Sequence, residues 1–371
     1  MTDDAVSVVI PTYNRAHLIT RAVDSVLAAV ERRDEVIVVD DGSTDGTHDV
    51  LMRYGDRIRY VLTDNRGAGA ARNRGIEVSS RPLVAFLDSD DEWTPDKLYL
   101  QRRALEACED AVMCCTNLGT RRRDGSEEHN VLLRWQQSEN VGNPGLHCGL
   151  QEVLERTSRF SQIASLPAGR IDFDVFVGNA FLAQMLAFQI CSITVLVDRR
   201  KTGQAFWFPE DLPTYEDCEC FGRLASTGPA VYLDCETAWQ WVHGGARVTN
   251  ASDIVSLETR ISVLKRVWGN NVDFLSLYGH EYEALLRRLQ LKRARYMLIE
   301  GAAHDAREEI HSIPHAPLVY RTLSLLPGWF VRGLLKIWRL RRRWLYRERK
   351  HPNSTNCKPH WKTDRFTLTE E

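Results

Sequence analysis

Three carboxylates lie within four positions of the chain, in the motif LDSDDEW at residues 87–93. They belong to Asp88, Asp90 and Asp91, and the apolar run LVAFL at residues 83–87 predicts a strand that ends at them. Carboxylates this close repel one another unless a cation or several donors offset their charge. Mg²⁺ and Mn²⁺ prefer oxygen ligands and leave positions open for phosphate oxygens. The motif therefore predicts a divalent-metal site, with an acidic cap of the following helix as the alternative.

A second acidic motif, VVDDGSTDGT at residues 38–47, closes another apolar run. A buried carboxylate at a strand end can accept a hydrogen bond from the imide N–H of a uracil or thymine ring. Gly42 allows the chain to turn sharply there. By itself the motif is equally consistent with an ordinary strand-to-helix turn in which an Asp caps the helix.

The stretch DNRGAGAARNRG at residues 64–75 resembles a dinucleotide fingerprint, because Gly67, Gly69 and the later Asp88 have nearly the required spacing. Arg72 stands where the third glycine of that fingerprint would allow close packing of helix and strand. An arginine at this position suits the charge of a diphosphate better. An NAD-dependent Rossmann enzyme stays as a rival hypothesis, although it leaves the acidic motifs unexplained.

Strand and helix patterns alternate through the first part of the chain. Short apolar runs predict strands at residues 6–10 (stopped by Pro11), 35–39, 58–62 and 83–87, with helical periodicity between them. This alternation predicts an α/β fold with a mostly parallel sheet covered by helices on both faces. Ligands of such sheets bind at the carboxyl ends of the strands, where the polar motifs occur. Helical periodicity returns from residue 253 to about residue 310.

Four motifs in order, PTYNR, VVDDGSTDGT, GAGAARNRG and FLDSDDEW, resemble those of the family 2 glycosyltransferases of GT-A fold. The resemblance is close over residues 6–105 and looser to about residue 243. It implies a Rossmann-like nucleotide-binding half fused to an acceptor-binding half, followed by C-terminal helices. The predicted divisions are 1–110 for the nucleotide-sugar half, 111–250 for the acceptor half, 251–312 for a helical extension, 313–350 for a basic segment and 351–371 for a disordered tail.

The resemblance also implies roles for residues of the first half. Pro11, Tyr13 and Asp41 would line the base pocket, with Asp41 meeting the imide of the base. Asp90 would ligate the metal, with Asp88 beside it near the ribose, and Arg72 would lie near the nucleotide. Asp88 would also lie near the metal, and whether Asp88 or Asp91 is the second metal ligand is left open.

The segment FPEDLPTYEDCECFGRLASTG at residues 208–228 resembles the part of the family that carries the catalytic base. The resemblance places Glu216 and Asp217 at the acceptor face, with Asp217 as the base. A second pair, Glu210 and Asp211, precedes them, and an acidic start of a solvated helix is the alternative interpretation. His243, in WVHGG, could reach the metal or serve a structural role.

Together these features predict an inverting glycosyltransferase with a nucleotide-diphosphate donor, a UDP-sugar, and Mg²⁺ or Mn²⁺ as cofactor. The acceptor would be a hydroxyl of a glycan or lipid-linked acceptor, as in cell-surface polysaccharide synthesis. A non-catalytic GT-A-fold protein that binds nucleotide or membrane is the alternative from another class.

Composition limits the partners and the compartment. The 371 residues carry a formal net charge of −2, so no overall field attracts nucleic acid, and no nucleic-acid partner is expected. Nine cysteines with irregular spacing do not form a metal or disulfide framework. The acidic start MTDDAVSVVIP lacks the pattern of a secretory signal, so a cytoplasmic location is expected. Residues 175–197 contain no charge, and we expect a buried helix followed by a buried strand rather than a membrane span.

The C-terminal part is strongly basic. Residues 329–350 contain nine basic residues and one acidic residue, with apolar side chains near one helical face. Such a helix is typical of attachment to an anionic membrane surface, and an RNA-binding tail or a dimer helix are the alternatives. A peripheral association with the cytoplasmic membrane is therefore expected.

Overall fold

The computed structural model describes residues 4–132, 134, 150–243, 252–314, 316–326, 330 and 333. The chain divides into two compact units, Met1–Arg247 and Val248–Glu371. The finer divisions expected at residues 110, 312 and 350 stay predictions.

The first part of the first unit alternates strands with helices. Its elements are β1 (Val6–Thr12), α1 (Ile19–Ala29), β2 (Glu35–Asp40), α2 (Thr47–Met52), β3 (Arg59–Leu62), α3 (Ala68–Val78), β4 (Leu83–Phe86), β5 (Glu92–Trp93) and α4 (Lys97–Ala107). The strands β1 to β4 pair in parallel, in the order β3-β2-β1-β4. The residues of β1 and β4 are buried throughout, as expected for parallel strands covered on both faces.

The rest of the first unit extends the same sheet. Its elements are β6 (Met113–Arg122), β7 (Glu127–Glu128), α5 (Leu150–Val153), β8 (Glu155–Arg159), β9 (Asp174–Gly178), α6 (Phe181–Ala187), β10 (Leu196–Asp198), α7 (Glu216–Ala225) and β11 (Ala230–Val242). Among the described residues, the sheet continues from β4 in the order β10-β6-β11-β9-β8, with β5 against β11 and β7 against β6. Here β10 is antiparallel to both neighbours and β11 is parallel to β6. The expected parallel sheet thus holds for the first four strands, and the extension is mixed.

Pro11 does not end the first strand, contrary to the expectation from the sequence. β1 runs through Pro11 to Thr12, and Pro11 is paired with Val39 of β2. The carbonyl of Val9 accepts a hydrogen bond from the N–H of Leu87, which follows β4. The backbone N–H and C=O groups of the odd-numbered residues of β1 therefore point toward β4. The pairing with β4 ends at Val9, so Pro11 faces the side where no ladder donor is required.

The uncharged stretch 175–197 is more divided than expected. It begins in β9, continues into the short helix α6, and ends in β10. The expected helix followed by a strand is present, but a further strand precedes it. None of the helices in the described residues is long and apolar enough to span a membrane.

Three side chains, from Trp93 at the end of the LDSDDEW motif and from Lys97 and Gln101 of α4, fix the turn at Ser192–Thr194, which leads into β10. Trp93 Nε1 donates to the carbonyl of Ile193 at 2.9 Å. Gln101 Nε2 and Lys97 Nζ donate to the carbonyl of Thr194 at 2.8 and 3.2 Å. Burial of Lys97 lowers its pKa to about 7, and its ammonium lies 4.8 Å from the Trp93 ring centre.

The second unit is helical in its described part, as expected from the sequence. It contains α8 (Asp253–Val267), α9 (Val272–Glu300), α10 (Ala303–Ser312) and α11 (Leu318–Leu325). A small apolar core includes Leu298 of α9 and Ile310 of α10. Pro317 precedes α11, a position that suits proline because the first N–H groups of a helix lack partners in any case. Residues 334–350 of the basic segment, and the tail 351–371, lie outside the described residues.

Candidate active site

The loops after β1 and β2 are fixed to each other. Asn14, which has a left-handed backbone (φ 53°), donates its N–H to Ser43 Oγ at 2.8 Å. Its side-chain oxygen accepts the N–H of Thr44 at 2.8 Å. The two motifs expected to bind the nucleotide, PTYNR and DDGSTDGT, therefore form one rigid edge, where Pro11 is buried and Tyr13 is 43% exposed.

Asp41 is buried at the end of β2 and holds the loop that leads to α3. Its two carboxylate oxygens accept the backbone N–H groups of Arg66 at 2.9 Å and Gly67 at 2.7 Å. Gly67 has a φ of +94°, which permits the turn into the helix. The expected base-binding carboxylate is thus present at the strand end and is preoriented by two backbone donors.

Arg72 of α3 is the central charged group of the site and is almost fully buried. Its Nη1 donates to Glu216 Oε1 at 2.7 Å, and its Nη2 donates to Asp88 Oδ1 at 2.7 Å. Its guanidinium also lies 5.4 Å from the ring centre of Phe208. The arginine therefore joins the end of β4 to the beginning of α7, a connection that the sequence did not indicate.

Asp217 is the second residue of α7 and follows Glu216 directly. Burial, together with the negative charge of Glu216, raises its pKa to about 6, although Arg72 acts in the opposite direction. Its Oδ1 accepts the N–H of Cys218 at 2.8 Å. A carboxylate with a pKa near neutrality is suited to accept a proton during catalysis.

The rival acidic pair has different surroundings. Glu210 accepts hydrogen bonds from Arg66 Nη2 at 2.5 Å and from Asn73 Nδ2 at 3.0 Å. Asp211 is exposed. Of the two acidic pairs considered from the sequence, Glu216 and Asp217 interact electrostatically with Asp88.

The three aspartates of the LDSDDEW motif point to different partners. Asp88 meets Arg72, and burial raises its pKa against the influence of that arginine. Asp90 Oδ2 lies 2.7 Å from His243 Nε2, and both side chains are largely buried. Asp91 Oδ1 accepts the backbone N–H of Trp241 at 3.2 Å. Within the described part of the chain, no group of three or more His, Cys, Asp or Glu side chains is arranged to hold a metal ion.

Asp90 and His243 nevertheless supply a carboxylate and an imidazole side by side. Mg²⁺ and Mn²⁺ are commonly held by one or two protein groups and completed by water and phosphate oxygens. The pair fits such a site in its chemistry. Among the described residues around it, carboxylates outnumber arginines. The carboxylates are those of Asp88, Asp90, Asp91, Glu92, Glu216 and Asp217, against Arg21, Arg72 and Arg121.

Arg21 of α1 holds the Asp90 loop from the other side. Its Nη2 donates to the carbonyl of Asp90 at 2.7 Å, and its guanidinium lies 4.2 Å from the ring centre of Trp241. Trp241 Nε1 in turn donates to Glu92 Oε2 at 2.9 Å. Sequence analysis did not identify these three residues. Two features of the sequence could have indicated Arg21 and Trp241: a charged residue between apolar positions of α1, and two tryptophans at alternate positions of WQWVHGG.

Comparisons with known proteins show which family and which fold the chain resembles. Residues 7–148 match the family model described as "Glycosyl transferase family 2". A putative teichuronic acid biosynthesis glycosyltransferase, TuaG of Bacillus subtilis, is 48% identical over 100 residues, which are 26% of this chain and 40% of that protein. The Escherichia coli UDP-Glc:alpha-D-GlcNAc-diphosphoundecaprenol beta-1,3-glucosyltransferase WfgD is 38% identical over 103 residues, 27% of this chain and 41% of WfgD. The curated relatives with the longest matched stretches are matched over about a third of their length, 34%.

The fold is shared with a solved structure. TarS 1–349 of S. aureus, in complex with UDP-GlcNAc, superposes with a TM-score of 0.56 at 18% identity, covering 83% of this chain and 81% of that one. The expected GT-A fold is thereby confirmed, with the largely parallel sheet and the helices that follow it. Through residues 7–148, which carry the nucleotide-binding motifs, the chain resembles glycosyl transferase family 2, and its fold is GT-A.

Proposed function

We propose that the protein is an inverting glycosyltransferase that transfers a sugar from a UDP-sugar to an acceptor hydroxyl. The observation that carries the proposal is the position of the Asp217 carboxyl. It follows Glu216, which shares Arg72 with Asp88. A base on α7 therefore stands beside the carboxylates at the end of β4, where GT-A proteins place the donor. With a pKa of about 6, Asp217 is mostly ionised at neutral pH.

The base of the donor is assigned to the pocket formed by Pro11, Tyr13 and Asp41. A carboxylate oxygen can accept two hydrogen bonds, so Asp41 can accept an imide N–H while it holds Arg66 and Gly67. The name of WfgD specifies UDP-glucose as donor, and the TarS structure contains UDP-GlcNAc. Both names support uridine in this pocket.

A divalent cation is assigned to Asp90 and His243, with Asp88 and Asp91 as the further carboxylates of the same strand end. When bound, Mg²⁺ or Mn²⁺ would offset negative charge on the diphosphate. Asp90, which follows β4, and His243, which follows β11, would each supply one ligand atom to the cation. The excess of carboxylates over arginines in the site favours a cation here.

In the proposed reaction Asp217 accepts the proton of the acceptor hydroxyl. The oxygen of that hydroxyl forms a bond to the anomeric carbon as the bond from this carbon to the diphosphate breaks. A single base and a single displacement invert the configuration at the anomeric carbon. Arg72 keeps Glu216 and Asp88 in place and limits the rise of the Asp217 pKa; a direct contact with the nucleotide stays a prediction.

The proposed acceptor is a glycan or a lipid-linked glycan in cell-surface polysaccharide synthesis. WfgD, as its name states, acts on an acceptor linked to diphosphoundecaprenol, and TuaG is named for teichuronic acid biosynthesis. We propose that the basic segment 313–350 holds the enzyme at the cytoplasmic face of an anionic membrane, where such acceptors reside. Each basic residue near the surface would contribute about 1 kcal/mol.

The membrane assignment is tested by removing residues from 329 onward. Full-length protein should co-sediment with vesicles containing phosphatidylglycerol, and binding should weaken as salt rises. The truncated protein should stay in the supernatant while still binding UDP. Retention on RNA with no binding to anionic vesicles would show that the segment is a nucleic-acid tail.

The activity is tested with a panel of nucleotide-diphosphate sugars, with Mg²⁺, with Mn²⁺ and with chelator. Thermal shift and donor hydrolysis should both select a UDP-sugar in the presence of a divalent ion. A shift by UDP without any hydrolysis or transfer would favour the non-catalytic alternative. No response to any nucleotide would reject the proposed function.

A further inference from the structure

A small pocket lies beside the Asp90 loop, at the β6–β7 hairpin. Its volume is about 180 Å³, below the roughly 300–1,000 Å³ of pockets for drug-sized ligands. The pocket has the scale of one sugar ring. The lining residues are Arg121, Arg122, Gly125, Glu127 and Trp241.

The polar side chains of this pocket are held in fixed positions. Arg121 donates to Glu127 Oε1 at 2.8 Å and to Glu92 Oε2 at 3.1 Å. Its guanidinium lies 4.2 Å from the ring centre of Trp239. Arg122 donates to Glu128 Oε2 at 2.6 Å. Arg121 and Arg122 are partly buried in these ion pairs, which hold the lining side chains in place around the pocket.

The lining has the chemistry that recognises a pyranose. The indole of Trp241 offers an apolar surface to the C–H face of a sugar, while guanidinium and carboxylate groups of Arg121 and Glu127 can donate to and accept from hydroxyl groups. Pockets that combine an aromatic wall with a few fixed polar groups are typical ligand sites.

Glu92 connects this pocket to the donor site. It accepts hydrogen bonds from Arg121 and from Trp241 Nε1, and it follows Asp90 and Asp91 directly in the chain. The backbone N–H of Trp241 is bonded to Asp91. The lining residue Trp241 is therefore bonded directly to the loop that carries the proposed metal ligands.

We propose that this pocket binds one monosaccharide unit of the acceptor. The identification of this sugar as part of the acceptor rests on the proposed function, whereas the binding of a sugar in this pocket does not depend on it. Arg121 and Arg122 also make the pocket suited to an acidic sugar, because a guanidinium pairs well with a carboxylate.

The probes are methyl glycosides of glucose, N-acetylglucosamine and glucuronic acid, added to the full chain and detected by saturation-transfer NMR. The signals of at least one glycoside should persist when saturating UDP and Mg²⁺ are present. Arg122→Ala should weaken that glycoside at least tenfold, while Arg123→Ala, in the same turn but outside the lining, should leave it unchanged.

Gly125→Asn is the second variant, because it adds a side chain to a lining residue without breaking an ion pair. Gly125 has a φ of +80°, which Asn tolerates better than other residues, and a Cβ there meets nothing within 4 Å. This variant should also lose glycoside binding, with UDP affinity unchanged. Glycoside signals that survive in Gly125→Asn, or that UDP displaces in the wild type, would overturn the proposal. If UDP itself fails to bind, the proposed function fails instead, whatever the glycosides do.

Discussion

The two ends of the LDSDDEW motif differ in what holds their carboxylates. Asp88 is bonded to Arg72, a permanent cation that it shares with Glu216 in a buried site. Asp90, Asp91 and Glu92 are bonded to an imidazole, a backbone N–H and an indole N–H. At the first end a buried arginine pairs with Asp88, while at the second end Asp90 and Asp91 are held by an imidazole and a backbone N–H, and Glu92 also pairs with Arg121. A metal ion should therefore bind at the second end, and the first should set the position and charge of the catalytic base.

The largest effect expected at the first end is on turnover. Asp217→Asn keeps the shape of the side chain but cannot accept a proton, so transfer should fall by about 10²–10⁴-fold. UDP affinity, measured by calorimetry, should stay near wild type. Asp211→Asn is the matched control and should retain turnover. The opposite result for the two variants would show that the base lies in the other acidic pair.

Removal of the shared arginine should produce the largest loss of stability. Arg72→Met leaves the buried carboxylate of Glu216 without its cation, which typically costs about 3–5 kcal/mol of unfolding free energy. Arg21→Met removes a bond to a backbone carbonyl and should cost less, about 1–3 kcal/mol. Urea unfolding followed by circular dichroism compares the two. Equal losses would mean that the two ends of the motif do not differ in the way proposed.

A smaller effect is expected on metal affinity at the second end. Asp90→Ala should weaken Mn²⁺ binding in the presence of UDP by at least about 10–100-fold, the loss typical when even the supporting groups of a metal site are removed. His243→Ala should act in the same direction. Glu219→Gln, on α7, should leave metal affinity unchanged. Full activity of Asp90→Ala in chelator would exclude the metal assignment.

The smallest effect expected is a shift of the pH profile. Asp217 accepts a proton only when ionised, so kcat should fall as pH drops below about 6. The negative charge of Glu216 raises the Asp217 pKa, so Glu216→Gln should lower it and move the acid limb to lower pH. Glu219, which is paired with Arg223, provides the control through Glu219→Gln. A limb that moves to higher pH in Glu216→Gln would contradict the assigned electrostatics.

The repeating strands and helices of the first half can be predicted from the sequence alone, because apolar periodicity and glycine-containing turns are local properties. It also placed Asp41, Asp88 and Asp90 at strand ends, since carboxylates that follow an apolar run must lie at the edge of a parallel sheet. The extension of β1 past Pro11 could not be predicted from the local sequence. It depends on which neighbouring strand each backbone N–H faces, and the order of the strands in the sheet sets this.

Which charged groups contact one another depends on the tertiary structure. Arg72 and Glu216 are 144 positions apart, and Asp90 and His243 are 153 apart. Their pairing arises because α3, the end of β4, the beginning of α7 and the end of β11 converge at one edge of the sheet. Burial at that edge raises the pKa of Asp217, and the extent of this burial cannot be predicted from the amino-acid sequence alone. The sequence therefore specifies which chemical groups are present, and the packing of distant segments determines their charges and partners.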